Sequence, residues 1–344
     1  MSANMEQNDI QHGIETAWHG LTVIKTSEEM AQDGFPFEVE RAPLFIGIGE
    51  DQKPLEGYYH IRGTDDKALI GVPQYSSYNF LSMTAFMDLI RETIKGTGAK
   101  VESLGTFASR AKRYVSLRVG TEWDEFKVGD RAFKNYLNLM DSLDGTLPLI
   151  AKASNVCVVC ANTFGMSLAE KSDFRLSNRH SKNHDAPERI ANFQNAIDAY
   201  HGASALFKKM MESAEAVKVD EETARRVLIG YQTEGSEPST RTTNIVDRQV
   251  TLFKTGRGNN GQTAADLISG VTDYYTHESS SESRGVSAQL MSSEIGAGAK
   301  AKREFVEAIT MRTPTAWRVD SKRIKALADL GEKALTVVGS NSAN

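Results

Sequence analysis

The stretch FKNYLNLMDSLDGTLPLIAKASNVCVVCANTFGMSLAEKSDFRLSNRH, residues 133–180, decides the fold class. Two runs with short-period alternation, Phe133 to Met140 and Thr146 to Ala153, flank Asp144-Gly145. An Asp-Gly pair between two such runs is a strong signal for a β-hairpin. We predict that a buried Cys-containing run follows, then a helix and a basic segment. We therefore expect helix to replace sheet after residue 160.

The chain before this stretch is predicted to be mostly strand. Short-period alternation indicates strands over Phe37–Gly47, Gly57–Arg62 and Ala68–Val72. Lys100–Phe107 and Lys112–Val119 form another predicted hairpin. Between these groups, apolar residues recur at helical spacing behind a Ser82 cap, which predicts an amphipathic helix that covers one sheet face. These residues are Met83, Phe86, Met87, Ile90 and Ile94.

The chain after residue 180 is predicted to be helical. Asp220-Glu221-Glu222 suits the positive end of a helix, and Thr263 with Asp266 predicts a capped helix start. Two short helices are expected near 300–312 and 320–335. Glu234–Thr243 is polar, contains Gly and Pro and lacks periodicity, which predicts a linker.

Together these patterns predict an α+β fold, with a mostly antiparallel sheet, a covering helix and a helical C-terminal half. The sheet begins β-β-β-α and continues with further hairpins. The predicted division is a flexible N-terminus over 1–17, a sheet domain over 18–180, a helical region over 181–335 and a flexible tail over 336–344.

Composition narrows the class of protein. The chain has 344 residues, of which 40% are hydrophobic and 25% charged, as in ordinary globular proteins. No apolar run is long enough to cross a bilayer, and two cysteines cannot form a disulfide framework, so we expect a cytoplasmic protein. The net charge is −5, and residues 1–70 hold 13 acidic but only 5 basic side chains. This acidity argues against a protein that coats duplex DNA.

Three patterns fall short of a catalytic or metal site. Cys157-Val158-Val159-Cys160 matches CxxC, but its apolar surroundings favour two buried structural side chains. His180 and His184 are four residues apart in a polar stretch that lacks a metalloprotease glutamate. Residues 256–263, GRGNNGQT, have Gln where a phosphate loop has Lys. We therefore predict no catalytic residue, no metal and no cofactor.

Two basic clusters point to single-stranded nucleic acid instead. Cations can follow the phosphates, while tyrosine rings such as Tyr75 or Tyr78 stack on bases. The alternative interpretation is a solvated hairpin edge whose cations discourage edge-to-edge pairing. The residues predicted to contact the strand are Arg110, Lys112, Arg113, Tyr114, Arg118, Arg175, Arg179, Lys182 and Arg189.

Several stretches, in order, resemble an uncharacterised family of phage/plasmid-like proteins, whose domain of unknown function is common on prophages, phages and plasmids. They are AWHGL at 17–21, VPQYSSYNF at 72–80, YLNLMDSLDGT at 136–146, VCVVCANTFGMSL at 156–168, RLSNRHS at 175–181 and GQTAADLISGVTDYYTHE at 261–278. The resemblance implies a mobile-element protein in a bacterial cytoplasm. It transfers no catalytic residue. The β-β-β-α start adds a fold-level analogy to ring-forming single-strand annealing proteins.

Three hypotheses follow for the function. The first is a non-catalytic phage or plasmid protein that binds single-stranded DNA and promotes annealing. It would act as a homo-oligomer with a phage exonuclease or host single-strand-binding protein as partner, and without a membrane. The second is a protein-binding modulator of host or defence factors that uses the acidic edge in residues 1–70. The third is an enzyme whose site assembles from distant residues such as His19 and His180.

Overall fold

The computed structural model describes residues 11–13, 34–97, 99–107, 109–118, 126–157, 163–165, 175–178, 202, 204–279 and 296–341. Within these ranges the fold is α+β, with antiparallel sheets in the first half and helices in the second, as the sequence predicts.

The largest sheet has eight strands, and every neighbouring pair is antiparallel. Its main path runs β1-β5-β6-β8-β9-β10, while β7 pairs with β8 and β11 pairs with β9. The strands are β1 (Gln11–Gly13), β5 (Lys100–Phe107), β6 (Lys112–Arg118), β7 (Phe126–Val128), β8 (Arg131–Ser142), β9 (Leu149–Cys157), β10 (Thr163–Gly165) and β11 (Arg175–Asn178).

The Asp144-Gly145 turn joins β8 to β9, as predicted. Gly145 has a φ of 73°, which suits glycine because it has no Cβ. The Asp144 carboxylate accepts hydrogen bonds from the backbone N–H of Thr146 at 3.1 Å and from its hydroxyl at 2.6 Å. The long β8–β9 ladder follows directly from this turn.

A separate three-stranded sheet precedes the large one. Its order is β2 (Val39–Ile46), β3 (Lys53–Gly63) and β4 (Leu69–Tyr75), again antiparallel. Helix α1 (Met83–Thr97) follows, and the Ser82 hydroxyl accepts a hydrogen bond from the N–H of Ala85 at 3.0 Å. The predicted capped helix is therefore confirmed.

The second half contains helices in sequence around one small hairpin. They are α2 (204–216), α3 (Glu221–Thr233), α4 (Thr240–Thr255), α5 (Ala264–Asp273), a π-helix (Tyr274–Glu278), α6 (Ala297–Ile309) and α7 (Ser321–Asn341), with β12 (Thr310–Arg312) and β13 (Trp317–Val319) between the last two. Asp220 caps α3, and Thr263 with Asp266 forms a capping box on α5, as the sequence predicts.

Two local predictions are wrong, and one hairpin was missed. Thr163–Gly165 and Arg175–Asn178 are strands paired with β9, where helix was expected after residue 160. The predicted linker over Glu234–Thr243 is partly helical, because the Ser239 hydroxyl accepts a hydrogen bond from the N–H of Thr242 and starts α4. The β12–β13 hairpin was not predicted, since each strand has only three residues.

One hydrophobic core joins the two halves. Phe207 of α2 packs edge-on against Phe133 of β8, with 5.5 Å between ring centroids, and lies 6.3 Å from Trp317 of β13. The middle strands are buried on both faces: all residues of β8 from Tyr136 to Ser142 are buried, although neighbours on a strand point to opposite sides. This two-sided burial determines which sequence-predicted contacts are accessible.

Candidate functional site

Arg113, predicted to contact phosphate, is instead a core residue. Its guanidinium is fully buried, forms an ion pair with Asp141 at 2.5 Å and lies 4.3 Å from the ring centre of Phe86. The same group donates hydrogen bonds to the carbonyl oxygens of Leu81 and Ser82, both at 2.9 Å. With its charge neutralised and its surface covered, Arg113 cannot contact a nucleic-acid backbone in this structure.

Tyr114 and Arg110 are also unsuited to their predicted roles. The Tyr114 ring is 1% exposed, so it has no face on which a base can stack. Arg110 is largely buried, with ion pairs to Asp65 at 3.1 Å and Asp66 at 3.3 Å, and lies 4.4 Å above the Phe37 ring. The predicted basic hairpin is therefore mostly an internal structural element.

The remaining predicted contacts do not form one described cluster. Lys112 and Arg118 are half-buried at opposite ends of β6, six residues or about 20 Å apart. Arg175 is aligned with Lys152 on β9, away from β6 in the strand order. Arg179, Lys182 and Arg189 lie outside the described residues, as do His19, His180, His184 and Cys160.

The Gly-rich loop at 256–263 already holds an anion from its own chain. The Asp266 carboxylate accepts hydrogen bonds from the backbone N–H groups of Asn260, Gln262 and Thr263, at 3.3, 2.9 and 3.1 Å. Arg131 of β8 donates to the same carboxylate and to Glu215. These contacts connect the loop and α5 to the sheet. The backbone N–H groups that a phosphate would need are bound to a carboxylate of the same chain. Among the described residues, no group of His, Cys, Asp or Glu is arranged to hold a metal.

The three-stranded sheet has a distinctive exposed surface. Seven of the ten large hydrophobic side chains exposed in the described part of the chain lie between residues 45 and 75. We call them the outer sheet surface: Phe45, Ile46, Ile48, Tyr58, Leu69, Val72 and Tyr75. An apolar cluster on the surface of a folded protein commonly marks a contact site.

The inner end of this sheet is fixed to the body. Ile61 of β3 and Ile70 of β4 are buried in the core. The Tyr59 hydroxyl donates a hydrogen bond to the Tyr78 carbonyl at 2.8 Å, and Gln74 donates to the carbonyl of Asp144 at 2.7 Å. The sheet is therefore anchored where its apolar residues are buried.

The outer end projects from the body. Phe45 and Ile46 are neighbours on β2 and point to opposite faces, yet they are 55% and 54% exposed. Ile48, in the connection to β3, is 91% exposed. Neither face of the β2–β3 hairpin end is covered by the described residues, so its apolar side chains are open to a partner.

Two tyrosines reinforce the exposed region. Tyr58 and Tyr75 lie opposite each other on β3 and β4, with 4.7 Å between ring centroids. The hydrogen bond between the two side chains raises the pKa of Tyr58. Cross-strand aromatic pairs stabilise a sheet, so this pair keeps two rings in place at the surface.

The charges at the projecting end are mainly acidic. Glu50, Asp51 and Glu56 are exposed and have no ion-pair partner in the described residues, whereas Lys53 is the exposed cation of the same hairpin end. Further along the sheet, Glu40 is neutralised by Lys67 and Arg62, whose hydrogen bonds lower its pKa. An apolar surface with an acidic border results.

A second unusual arrangement lies at the π-helix after α5. π-Helical turns are rare and occur often at functional sites. Burial raises the pKa of Asp273 to about 6, and the nearby Glu278 carboxylate adds to this effect. His277 Nε2 is 3.9 Å from Asp273, while Glu278 is held by two hydrogen bonds from Arg248, both at 2.5 Å. This segment contains the YYTHE end of a stretch that carried the family resemblance.

The sequence predicted strands through most of the outer sheet surface but not its exposure. The signal was the run PLFIGIG at 43–49, which places apolar residues on consecutive positions rather than alternate ones. In an acidic stretch, such a run implies either a two-sided core strand or an uncovered hairpin. The sequence alone does not distinguish these two arrangements.

Comparison with known proteins gives one match. The model of a family described as Domain of unknown function (DUF932) matches residues 74–319. No curated protein and no solved structure matches the chain. In the described residues no helix has both the length and the apolar character to cross a membrane. The match confirms the predicted membership of an uncharacterised domain family, while the phage or plasmid context stays a prediction. Because this match spans more than half of the chain, the chain belongs to the family described as Domain of unknown function (DUF932).

Proposed function

We propose that this protein is a protein-binding modulator, and that the outer sheet surface is its contact region. The observation that carries the proposal is the concentration of exposed large hydrophobic residues between Phe45 and Tyr75, of which Phe45, Ile46 and Ile48 lie at the projecting end of the β2–β3 hairpin. Two-stranded hairpins are at best marginally stable alone in water. A partner that covers both faces of the hairpin end would remove its apolar surface from water and stabilise it.

The partner proposed here is a protein with an apolar groove bordered by basic residues. Glu50, Asp51 and Glu56 surround the apolar residues and would attract such a border. The same carboxylates would repel the phosphates of a nucleic acid. The proposal therefore follows the second sequence hypothesis, an acidic edge that binds host or defence factors, in preference to strand binding.

The contact would be made by side chains. Pro43 and Pro73 lie on the two edge strands of the sheet, β2 and β4. Proline lacks the backbone N–H that a further strand would need for pairing. Simple strand addition to either edge is thus disfavoured. Insertion of Phe45, Ile46 and Ile48 into a groove fits this geometry better.

A matched pair of variants tests the proposal. Phe45→Ser with Ile48→Ser removes the projecting apolar groups, whereas Met311→Ser with Leu335→Ser removes two exposed hydrophobics outside the sheet. Nuclease-treated host lysate is passed over each immobilised protein and over wild type. A protein retained by wild type and by the control variant, but lost with the first variant, is then purified and its affinity measured directly.

We call Phe45→Ser with Ile48→Ser the hairpin variant. Support requires that the purified partner binds wild type and has at least tenfold lower affinity for the hairpin variant. It also requires that Glu50→Gln with Glu56→Gln slows association at low salt. Equal affinity of the partner for the Phe45→Ser, Ile48→Ser variant and for the Met311→Ser, Leu335→Ser control would refute the proposal. Self-association of wild type in light scattering, abolished by the hairpin variant, would instead identify a second copy of the chain as occupant.

Single-stranded DNA forms the third arm of the test. Anisotropy with a labelled oligonucleotide should show weak binding that the hairpin variant does not change. Tight binding that weakens steeply with salt and is lost with Lys112→Ala would replace the proposal with the strand-binding function.

A further inference from the structure

A cavity of about 460 Å³ opens between α3 and α7, with the segment 216–218 as a third wall. Thr223 in the first turn of α3 and Ser321 at the start of α7 both line it, so the two helices begin at the same end of the cavity. Helix N-termini carry partial positive charge and favour anions. Their capping carboxylates, Asp220 and Asp320, accept hydrogen bonds from Thr223 and Lys322, so further groups must supply the specific contacts.

Cations supply the stronger reason to expect an anion. The charged lining residues are Lys218, Arg226, Lys325 and Asp329. Asp329 is paired with Lys325 at 2.7 Å, so the cations that remain for a ligand are Lys218 and Arg226, the second of which has two exposed carboxylate partners. Lys218 is exposed, and its ammonium has no partner within the described ranges.

Arg226 is half-buried and is held more loosely than the buried cation Arg113. Its guanidinium lies 3.5 Å from Glu222 and 3.5 Å from Glu332, and these partner side chains are 79% and 64% exposed. Its Nε is buried and donates no hydrogen bond within the described structure. Arg113, by contrast, has an ion pair at 2.5 Å and two carbonyl acceptors. A phosphate that replaced the two exposed carboxylates of Glu222 and Glu332 would receive a forked contact from the terminal nitrogens of Arg226, Nη1 and Nη2.

The other part of the lining is apolar and fixed. Val217, Ile324 and Ala328 line the cavity beside the cations. The segment behind Val217 is fastened to the Gly-rich loop, because Val217 accepts a hydrogen bond from Ala264 at 2.9 Å and Val219 donates to Gln262 at 3.0 Å. A volume of this size suits an organic molecule rather than a bare ion.

We propose that this cavity binds a small organic phosphate, with the phosphate at Lys218 and Arg226 and the organic part against Ile324 and Ala328. The proposal is independent of the outer sheet surface. Helix α7 begins after residue 319, where the family match ends, so one wall of the cavity comes from outside the matched domain.

Calorimetric titration of the full-length protein at constant ionic strength tests this inference. The probes are AMP, inorganic phosphate and adenosine. AMP should bind with a dissociation constant below about 1 mM, and adenosine should not bind measurably. Arg226→Met and Lys218→Met should each weaken AMP binding at least tenfold. Lys208→Met, which removes an exposed cation on α2 outside the cavity, should leave binding unchanged.

The alternative outcomes are distinct. Inorganic phosphate that binds as tightly as AMP overturns the assignment of an organic ligand, because the apolar lining then contributes nothing to affinity. Absence of binding by both phosphate probes, or equal binding by adenosine and AMP, overturns the inference. Unchanged AMP affinity in Lys218→Met also overturns it, and because Lys218 is exposed, that variant keeps the test valid if Arg226→Met fails to fold.

Discussion

Gly230 of α3 and Gly331 of α7 each face the backbone of the opposite helix. A Cβ at Gly230 would lie 2.0 Å from the carbonyl oxygen of Leu327, and one at Gly331 would lie 1.9 Å from that of Arg226. The two helices can approach this closely only because both positions lack a side chain. The crossing also sets the width of the cavity between the helix N-termini.

Gly230→Ala and Gly331→Ala should each destabilise the fold by about 3 kcal/mol or more, since neither helix backbone can move away without repacking its neighbours. Chemical denaturation followed by circular dichroism measures the change. Gly202→Ala is the control, because a Cβ there meets nothing within 4 Å. A loss below about 1 kcal/mol at both crossing positions would show that the helices do not pack this closely.

Asp141→Asn should cost about 3–5 kcal/mol of stability, because it leaves the Arg113 charge buried without its carboxylate. Replacement of both partners, Arg113→Met with Asp141→Leu, should lose much less than the sum of the single changes. Urea denaturation of Arg113→Met, Asp141→Leu and the double variant provides the cycle. Additive effects would contradict a tight internal pair.

Phe45→Ser with Ile48→Ser should change the free energy of unfolding by no more than about 0.5 kcal/mol, because both side chains are exposed. The same variant should bind less of a dye that reports exposed apolar surface. Thermal denaturation and dye fluorescence measure the two effects. A large loss of stability would mean that these residues are covered within the chain and do not form a contact surface.

Local signals were sufficient for much of this fold. Alternation around Asp144-Gly145 predicts the central hairpin, and the Thr263–Asp266 capping box predicts the start of α5. Both depend on residues close in sequence. The three-residue strands β10, β12 and β13 are too short to give a periodic signal and depend on their pairing partners.

The burial of several predicted strand contacts could not be read from the sequence for a different reason. Arg113 and Tyr114 are adjacent on β6, so alternation correctly places them on opposite faces. Whether each face meets solvent depends on what packs against it, and here both faces are covered. The neutralising carboxylate of Arg113 is 28 residues away, and that of Arg131 is 135 residues away. Sequence-local reasoning cannot assign partners at such separations.

The pH dependence of stability should include a contribution from Asp273. Burial is the larger cause and repulsion from Glu278 the smaller one, and together they raise the pKa of Asp273 from 3.8 to about 6. Arg248 and Arg257 oppose that rise. The folded state therefore holds this proton more tightly than the unfolded chain. The resulting stabilisation is fully present below about pH 4 and is lost as the pH rises through about 6.

Asp273→Asn removes that dependence, because the amide stays uncharged. At pH 7.5 the variant should be more stable than wild type by about 1–2 kcal/mol, a value reduced for the partial exposure of the carboxylate. At pH 4 the two proteins should differ little. Denaturation at both pH values measures the difference. His277 Nε2 lies 3.9 Å from Asp273, so comparison of Asp273→Asn with the double variant His277→Gln, Asp273→Asn separates the two groups. A stabilisation of Asp273→Asn that is equal at both pH values would show that removal of the charge is not its cause.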